Sequence, residues 1–225
     1  MARPIIIFGA GGFAREVLQI ILDINAECPT SPQWQPLGFI VDDSYITENC
    51  VHGLPILGSI DYLETNPYAE IIIAIGSSAA RQRIATRISA ISKNTFATLI
   101  HPRAWLGRNV SIGGGSIICS GSLITTDIQI GLHVQVNIGC TIGHDAVLND
   151  YVTLNPGTNV SGNVLIGEGS EIGTGSVLIP HAKIGEWSII GAGSVVINSI
   201  AANTTSVGAP AKIIKTRNTN WQNID

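Results

Sequence analysis

Charged side chains are scarce in this chain. Asp, Glu, Lys and Arg make up 12% of its 225 residues, and the net charge is −4 at pH 7. Its 12 basic residues form no cluster, so the electrostatic footprint of a nucleic-acid-binding protein is missing. No apolar run reaches the roughly 18 residues that a membrane-spanning helix requires. The N-terminus enters the apolar stretch Pro4-Ile5-Ile6-Ile7-Phe8 directly, without the charged, apolar and cleavage-site order of a signal peptide. The chain is therefore read as cytoplasmic, with no stable membrane insertion. Only four cysteines occur, Cys28, Cys50, Cys119 and Cys140. They lack metal-ligand spacing, so no metal is expected, and they read as buried free thiols of a reducing compartment. Hydrophobic residues make up 45% of the chain. A dry core beneath a surface this poor in charge suggests a subunit partly buried in an oligomer.

What the sequence has instead is a period of six. Every sixth residue from Leu106 to Val196 is aliphatic: Leu106, Ile112, Ile118, Ile124, Ile130, Val136, Ile142, Leu148, Leu154, Val160, Ile166, Ile172, Leu178, Ile184, Ile190 and Val196. The next residue is mostly Gly, Asn or Ser, and the residue four places on is small or β-branched, as in Ser116, Cys140, Ala146 and Ser176. A helix requires recurrence near 3.6, whereas six is a multiple of the strand period of two. Each aliphatic side chain then points to one side of a short extended segment, and the Gly, Asn or Ser beside it permits a tight corner. A single hexad cannot bury itself. Stacked hexads can, as a parallel β-helix with an aliphatic column inside.

The first half reads differently. Pro4–Phe8 is a buried strand, Gly9-Ala10-Gly11-Gly12 a glycine turn, and Phe13 to Ile24 a helix with apolar residues at helical spacing. That order opens a Rossmann-like βαβ unit, in which glycines admit a ligand and helix N-terminal amides favour an anion such as phosphate. A second strand, Gly38–Val41, ends in Asp42-Asp43, where such a unit holds part of its ligand. The same residues would also serve a plain turn and a solvated loop, and GxGG is less than the full dinucleotide signature. A third strand, Ala69 to Ile75, ends at Gly76. A helix follows, capped by Ser77 or Ser78, and its Arg81, Arg83 and Arg87 are read as a solvated face, with a phosphate contact from Arg81 as the alternative. Phe96–Ile100 is assigned to the same unit. The expected division is an α/β domain over 1–102, a β-helix over 103–212 and a tail over 213–225 able to cover an exposed end of the coils.

Of the five histidines, His144 stands out as a candidate general base, because it lies between Gly143 and Asp145 inside the repeat. A solvated His-Asp corner is the plainer alternative. His52 reads as a loop residue, His101 as structural at the domain junction, and His133 and His181 as residues on or near a prism face.

The hexads resemble those of the hexapeptide-repeat acyltransferases. That likeness implies a left-handed β-helix with three hexads per turn, hence a little over five coils and a prism about 24 Å tall at the usual strand spacing. The combination of GxGG, the Phe39–Asp43 strand, Ala74-Ile75-Gly76, Leu99-Ile100-His101-Pro102, Gly143-His144-Asp145 and Val207-Gly208-Ala209-Pro210-Ala211-Lys212 is similar to the sugar acetyltransferases of the bacillosamine-pathway and sialic-acid O-acetyltransferase group. The resemblance covers residues 3 to 213. It implies a homotrimer, with acetyl-CoA as acetyl donor lying between adjacent prisms and a nucleotide-linked amino sugar, UDP-linked by preference, bound by the small domain. His144 would be the base and Asp145 its support. Asn137, Gly9, Gly11, Gly12, Phe13, Asp42, Asp43 and Gly76 would face the acceptor. Gly143, Thr153, Gly173, Thr174, Gly191, Ala192, Pro210 and Lys212 would face the cofactor. Thr153 stands where several members carry a second histidine, and its hydroxyl is expected to reach the thioester carbonyl. Phe13 likewise replaces a histidine common in the group. O-acetylation of a sugar such as sialic acid is the alternative within enzymes. A non-catalytic trimeric ligand-sensing scaffold is the alternative of another class.

Overall fold

The computed structural model describes residues 1–45 and 49–223. The N-terminal unit runs β1 (Arg3–Phe8), α1 (Gly12–Ala26), β2 (Trp34–Ile40), β3 (Cys50–Val51), β4 (Leu54–Gly58), α2 (Tyr62–Thr65), β5 (Glu70–Ile73) and α3 (Ser78–Ile91). Its sheet has the order β3-β4-β2-β1-β5, parallel except for the β3–β4 pair. Strand β2 begins four residues earlier than the hydrophobic run implies, because Pro36 sits beside a shift of register in its pairing with β1. A bulge is where a strand tolerates a residue without a backbone donor. Ile5 and Ile7 point towards α1, which buries Ala14, Val17, Leu18 and Ile21, whereas Ile6 and Phe8 point towards Ile84, Ala85 and Ile88 of α3.

From Leu99 onward the chain winds into a three-faced left-handed β-helix. The strand β6 (Leu99–Ile100) pairs with Ile117–Ile118, so it forms the first rung of the prism. The expected boundary at 102/103 left this strand with the α/β unit. Its partners correct that placement, although Phe96 still bridges to Ile71 of β5. The docking face is built on Ile117–Ile118, Gln135–Val136, Thr153–Leu154 and Glu171–Ile172, the second face includes Thr141–Ile142, and the third includes Val147–Leu148. Ile118, Val136, Leu154 and Ile172 stack inward in strict register, all fully buried. Burying an aliphatic side chain of this kind stabilises by about 1.5–3 kcal/mol.

The corners are made two residues later than the sequence reading places them. Positive φ recurs every sixth residue from Asn109 to Gly193, three places after each aliphatic, including His133 (54°), Asp145 (58°) and Trp187 (54°). The residue directly after the aliphatic has another task. A Cβ on Gly143 would lie 2.6 Å from the amide nitrogen of Gly162 and 2.8 Å from the carbonyl carbon of Ser161 in the next coil. That position holds glycine for close approach between coils rather than for left-handed backbone. The small residues four places on lie inside. Ser116, Ser122, Ser170 and Ser176 each donate to a carbonyl fifteen residues ahead, at 2.8–3.0 Å, and so satisfy buried hydroxyls.

The end of the chain forms an antiparallel pair, Thr204–Val207 with Lys212–Thr216, on one edge of the docking face. The expected tail boundary at 212/213 cuts through this pair. Beyond it the chain runs back along the prism, where Trp221 donates through Nε1 to the carbonyl of Trp187 (3.3 Å) and the Gln222 carbonyl accepts from Arg83 (2.7 Å). Ile224 and Asp225, included in the expected tail, lie outside the described residues. Cys119 and Cys140 are buried, and burial pushes their thiols up to about 12 and about 11. Cys28 and Cys50 are exposed, against the expectation of four buried thiols, because neither lies in a repeat.

Candidate active site

The α/β unit is clamped to the prism by a side chain expected to be solvated. Arg81 is fully buried, and burial lowers its guanidinium to about 9, which leaves it charged at neutral pH. Its Nε donates to the carbonyl of His133 (2.8 Å), Nη1 to those of Ile75 (2.9 Å) and Gly76 (3.1 Å), and Nη2 to the Tyr151 carbonyl and the Thr153 hydroxyl (both 2.8 Å). Periodicity misses this because α3 faces the α/β core on one side and the prism on the other. Thr153 is corrected with it. Its hydroxyl lies 3.0 Å from Ser78 Oγ and 3.3 Å from the Gly76 carbonyl, sealed in the domain junction. Gly76 is committed to the same junction.

His133 is also buried here, stacked on Tyr151 and edge-on to Phe96, with ring centroids 5.2 and 4.5 Å away. Burial, and then the positive Arg81, depress its imidazole to about 4. A depressed histidine stabilises the fold fully above its unfolded pKa near 6.5 and loses that contribution as pH falls through 4. The difference of about 2.5 pH units corresponds to roughly 3 kcal/mol. Urea unfolding between pH 7 and pH 4 is therefore expected to show a stability slope that flattens in His133→Asn, a residue that tolerates positive φ. Equal slopes in the two proteins would remove His133 as the acid-sensitive group.

His101 joins the two units as well, its Nε2 lying 2.9 Å from Asp23 on α1. His52 is an exposed loop residue at positive φ, and His181 is an exposed corner residue.

At the carboxyl ends of β1, β2 and β5 lies a cavity of about 1250 Å³ lined by Gly9, Gly11, Asp42, Tyr45, Arg83 and Arg87, with Glu168 and Trp187 of the prism and Gln222 and Asn223 of the tail closing its far side. It occupies the crevice where ligands bind in open α/β sheets. Gly9 has φ 107° and abuts Ile75 and Ala74, so it must be glycine, whereas a Cβ on Gly11 would meet nothing and the space above it is open to a ligand. Helix α1 has no side-chain cap, and its first amides are free to meet an anion. Asp42 lines the cavity and holds Arg87 in a two-pronged ion pair of 2.7 and 3.2 Å. Gly12, Asp43 and Phe13 do not line it, contrary to expectation. Phe13 packs instead against the α1 core, as an apolar side chain is expected to do.

His144 and Asp145 sit on the edge between the second and third faces, with side chains 60% and 55% exposed and His144 Nδ1 2.7 Å from Asp145 Oδ2. That bond orients the ring and leaves Nε2 for a substrate. The ring lies over Gly162 of the next coil, where a Cβ would come within 2.7 Å of Nε2. Sequence reading missed Gly162, and the signal was its place eighteen residues after His144, one full coil. Gly162→Ala is expected to swing the imidazole aside and cut turnover about tenfold or more, with the melting temperature changed little. Unchanged turnover would show that the ring is not held there.

Asn137 occupies the edge between the docking and second faces, where its amide donates to the Leu154 carbonyl (3.0 Å). Gly173, Thr174, Gly191 and Ala192 lie on that same edge, and Pro210 and Lys212 are exposed at the prism's end. Gly143 begins the corner that carries His144. The candidate base His144 and the candidate cofactor residues Gly173, Thr174, Gly191 and Ala192 thus flank opposite edges of the second face, whose exposed Trp105 and Leu123 are adjacent in register. Among the described residues no cluster of His, Cys, Asp or Glu could hold a metal ion, and no helix is long and apolar enough to cross a membrane.

The Rossmann-like unit and the β-helix of hexads each match a known family. Residues 4–88 match the PglD N-terminal domain family, and residues 163–198 match the bacterial transferase hexapeptide family (six repeats). The chain is 32% identical over 147 residues to GDP-perosamine N-acetyltransferase of Escherichia coli O157:H7, a match covering 64% of this chain and 63% of that relative. Among solved structures it is similar to PerB from Caulobacter crescentus in complex with CoA and GDP-perosamine (26% identity, TM-score 0.84, 94% of this chain and 97% of that one). It is likewise similar to the acetyltransferase domain of PglB from Neisseria gonorrhoeae in complex with acetyl coenzyme A (28% identity, TM-score 0.83, 95% and 100%).

Proposed function

We propose that this chain is an acetyl-CoA-dependent N-acetyltransferase whose acceptor is a nucleotide-linked 4-amino sugar, working as a homotrimer. The observation that carries this reading is the exposed His144–Asp145 pair, with Nε2 unencumbered, on a prism whose α/β unit holds an open cavity at its strand ends. That cavity and His144 belong to different prism edges of one chain. A complete site therefore needs the His144 edge of a second copy to approach, and the exposed apolar row on the second face gives such copies a surface to share.

The chemistry needs no acyl-enzyme. The sugar amine attacks the thioester carbonyl, His144 Nε2 removes the amine proton, and the intermediate collapses with cleavage of the C–S bond, the imidazolium returning that proton to the leaving sulfur so that CoA departs as its thiol and the acetyl group stays on nitrogen. Asp145 holds the imidazole through Nδ1 and supports its positive charge. Backbone amides are the donors left for the oxyanion, since Thr153 is bonded to Arg81. Holding both substrates in one groove supplies much of the rate. UDP is the sequence-based preference for the nucleotide, while one of the similar proteins is named for a GDP-linked sugar and another is solved in complex with one.

The test is a panel of UDP-, GDP- and dTDP-linked amino sugars and free sialic acid, each with acetyl-CoA, scored by thiol release and product mass. An N-acetylated nucleotide sugar is expected. Acetylation of sialic acid alone would replace this reading with an O-acetyltransferase, and no thiol release from any member would leave a binding scaffold.

A further inference from the structure

One wall of the cavity comes from the last residues of the chain. Gln222 lines it and is 6% exposed, yet its Oε1 is buried without a hydrogen-bond partner among the described residues. An orphaned buried acceptor is costly unless a partner completes it. The segment bearing Gln222 is firmly held. Trp221 donates to the Trp187 carbonyl, Arg217 stacks on the Trp221 ring at 4.5 Å, and the Gln222 carbonyl accepts from Arg83. Trp187 is itself seated over Gly169, where no Cβ would fit. Beside it stands Glu168, whose carboxyl is raised by burial and by the neighbouring Asp150 and Glu186 and which accepts from Gln82 (3.0 Å).

We infer that the C-terminal segment is a specificity element of this site, with Gln222 reading the sugar half of the nucleotide sugar. The inference rests on the function proposed above. Its argument is one of donors and acceptors. The cavity's end at Gly9–Gly11 and the uncapped α1 offers amides, which suit a diphosphate. The opposite end is lined by Glu168 and Gln222, side chains that carry acceptor oxygens. A diphosphate is all acceptor and is repelled there, whereas sugar hydroxyls and an amino group donate. A hydrogen-bonding site of this kind discriminates strongly, because a ligand lacking the donor leaves its acceptor unpaired.

The experiment compares the full-length protein with Gln222→Ala and with a truncation after Arg217. The expected result is a KM for the nucleotide sugar raised about tenfold in both, with the KM for acetyl-CoA and inhibition by the bare nucleoside diphosphate changed less than twofold, and the melting temperature of Gln222→Ala changed by a degree or two. Gln222→Glu, which keeps the acceptor, is expected to recover part of the loss. An unchanged sugar KM in both variants overturns the inference. So does parallel loss of acetyl-CoA affinity and melting temperature, which marks a structural role only, or equal weakening of the bare nucleotide, which moves the contact off the sugar. If the full-length protein acetylates no nucleotide sugar at all, it is the proposed function that fails.

Discussion

Replacing His144 with alanine is expected to lower turnover at least about a hundredfold while leaving the protein folded and its nucleotide-sugar affinity nearly unchanged. The magnitude follows from the role: a positioned base is worth roughly 10²–10⁴ in rate. The selectivity follows from location. The ring is mostly exposed, its Nδ1 bonds among the described residues to Asp145, and its substitution removes no side chain from the aliphatic column. The measurement is thiol release under saturating acetyl-CoA, paired with calorimetry of nucleotide-sugar binding. Near-normal turnover would take the base role away from His144. Asp145→Asn is a milder companion, because it retains a hydrogen bond to Nδ1 but reverses its direction or removes its charge.

The second large effect is structural. Arg81→Ala is expected to destabilise the protein by roughly 3–5 kcal/mol, the cost of breaking a buried, fully hydrogen-bonded charge arrangement. The loss falls on both units together, since the carbonyls of Ile75 and Gly76 on one side and of His133 and Tyr151 on the other lose their shared donor. For a chain of this size it corresponds to a fall of about 10 °C in melting temperature. Arg81→Lys is expected to recover little, because one ammonium cannot reach acceptors spread around the planar guanidinium fork. A melting temperature within a degree or two of the unmodified protein would show that the junction is held by its apolar contacts alone.

Much of the prism was legible because its signal is one-dimensional. A hexad repeats the same burial demand sixteen times, and an aliphatic at each step can be satisfied only by stacking. The Gly143-His144-Asp145 interruption was legible against that regularity. The corner chemistry is only half readable: the sequence makes Gly143 and its equivalents look like turn formers, but the left-handed residues are Asp145, Tyr151, His181 and the rest of their column. Both positions favour small residues, and one sequence does not distinguish close approach from unusual backbone. Arg81 and Thr153 were misread for a different reason. Each looks like a surface residue along its own element and is buried by the other. The partnership spans 72 residues of sequence, and no local period reports it.

The sequence by itself determined the two architectures, their order, the candidate base and the glycine turn, because each depends on spacing within a short stretch. Only the tertiary structure decided which prism face the α/β unit covers, that β6 belongs to the prism, that Thr153 is sealed, and that the tail returns to wall the cavity. The physical reason is that these outcomes depend on which polar groups find partners across the domain junction. Hydrophobic periodicity says which side of a strand is buried inside its own coil. It does not say which outer face another unit will bury.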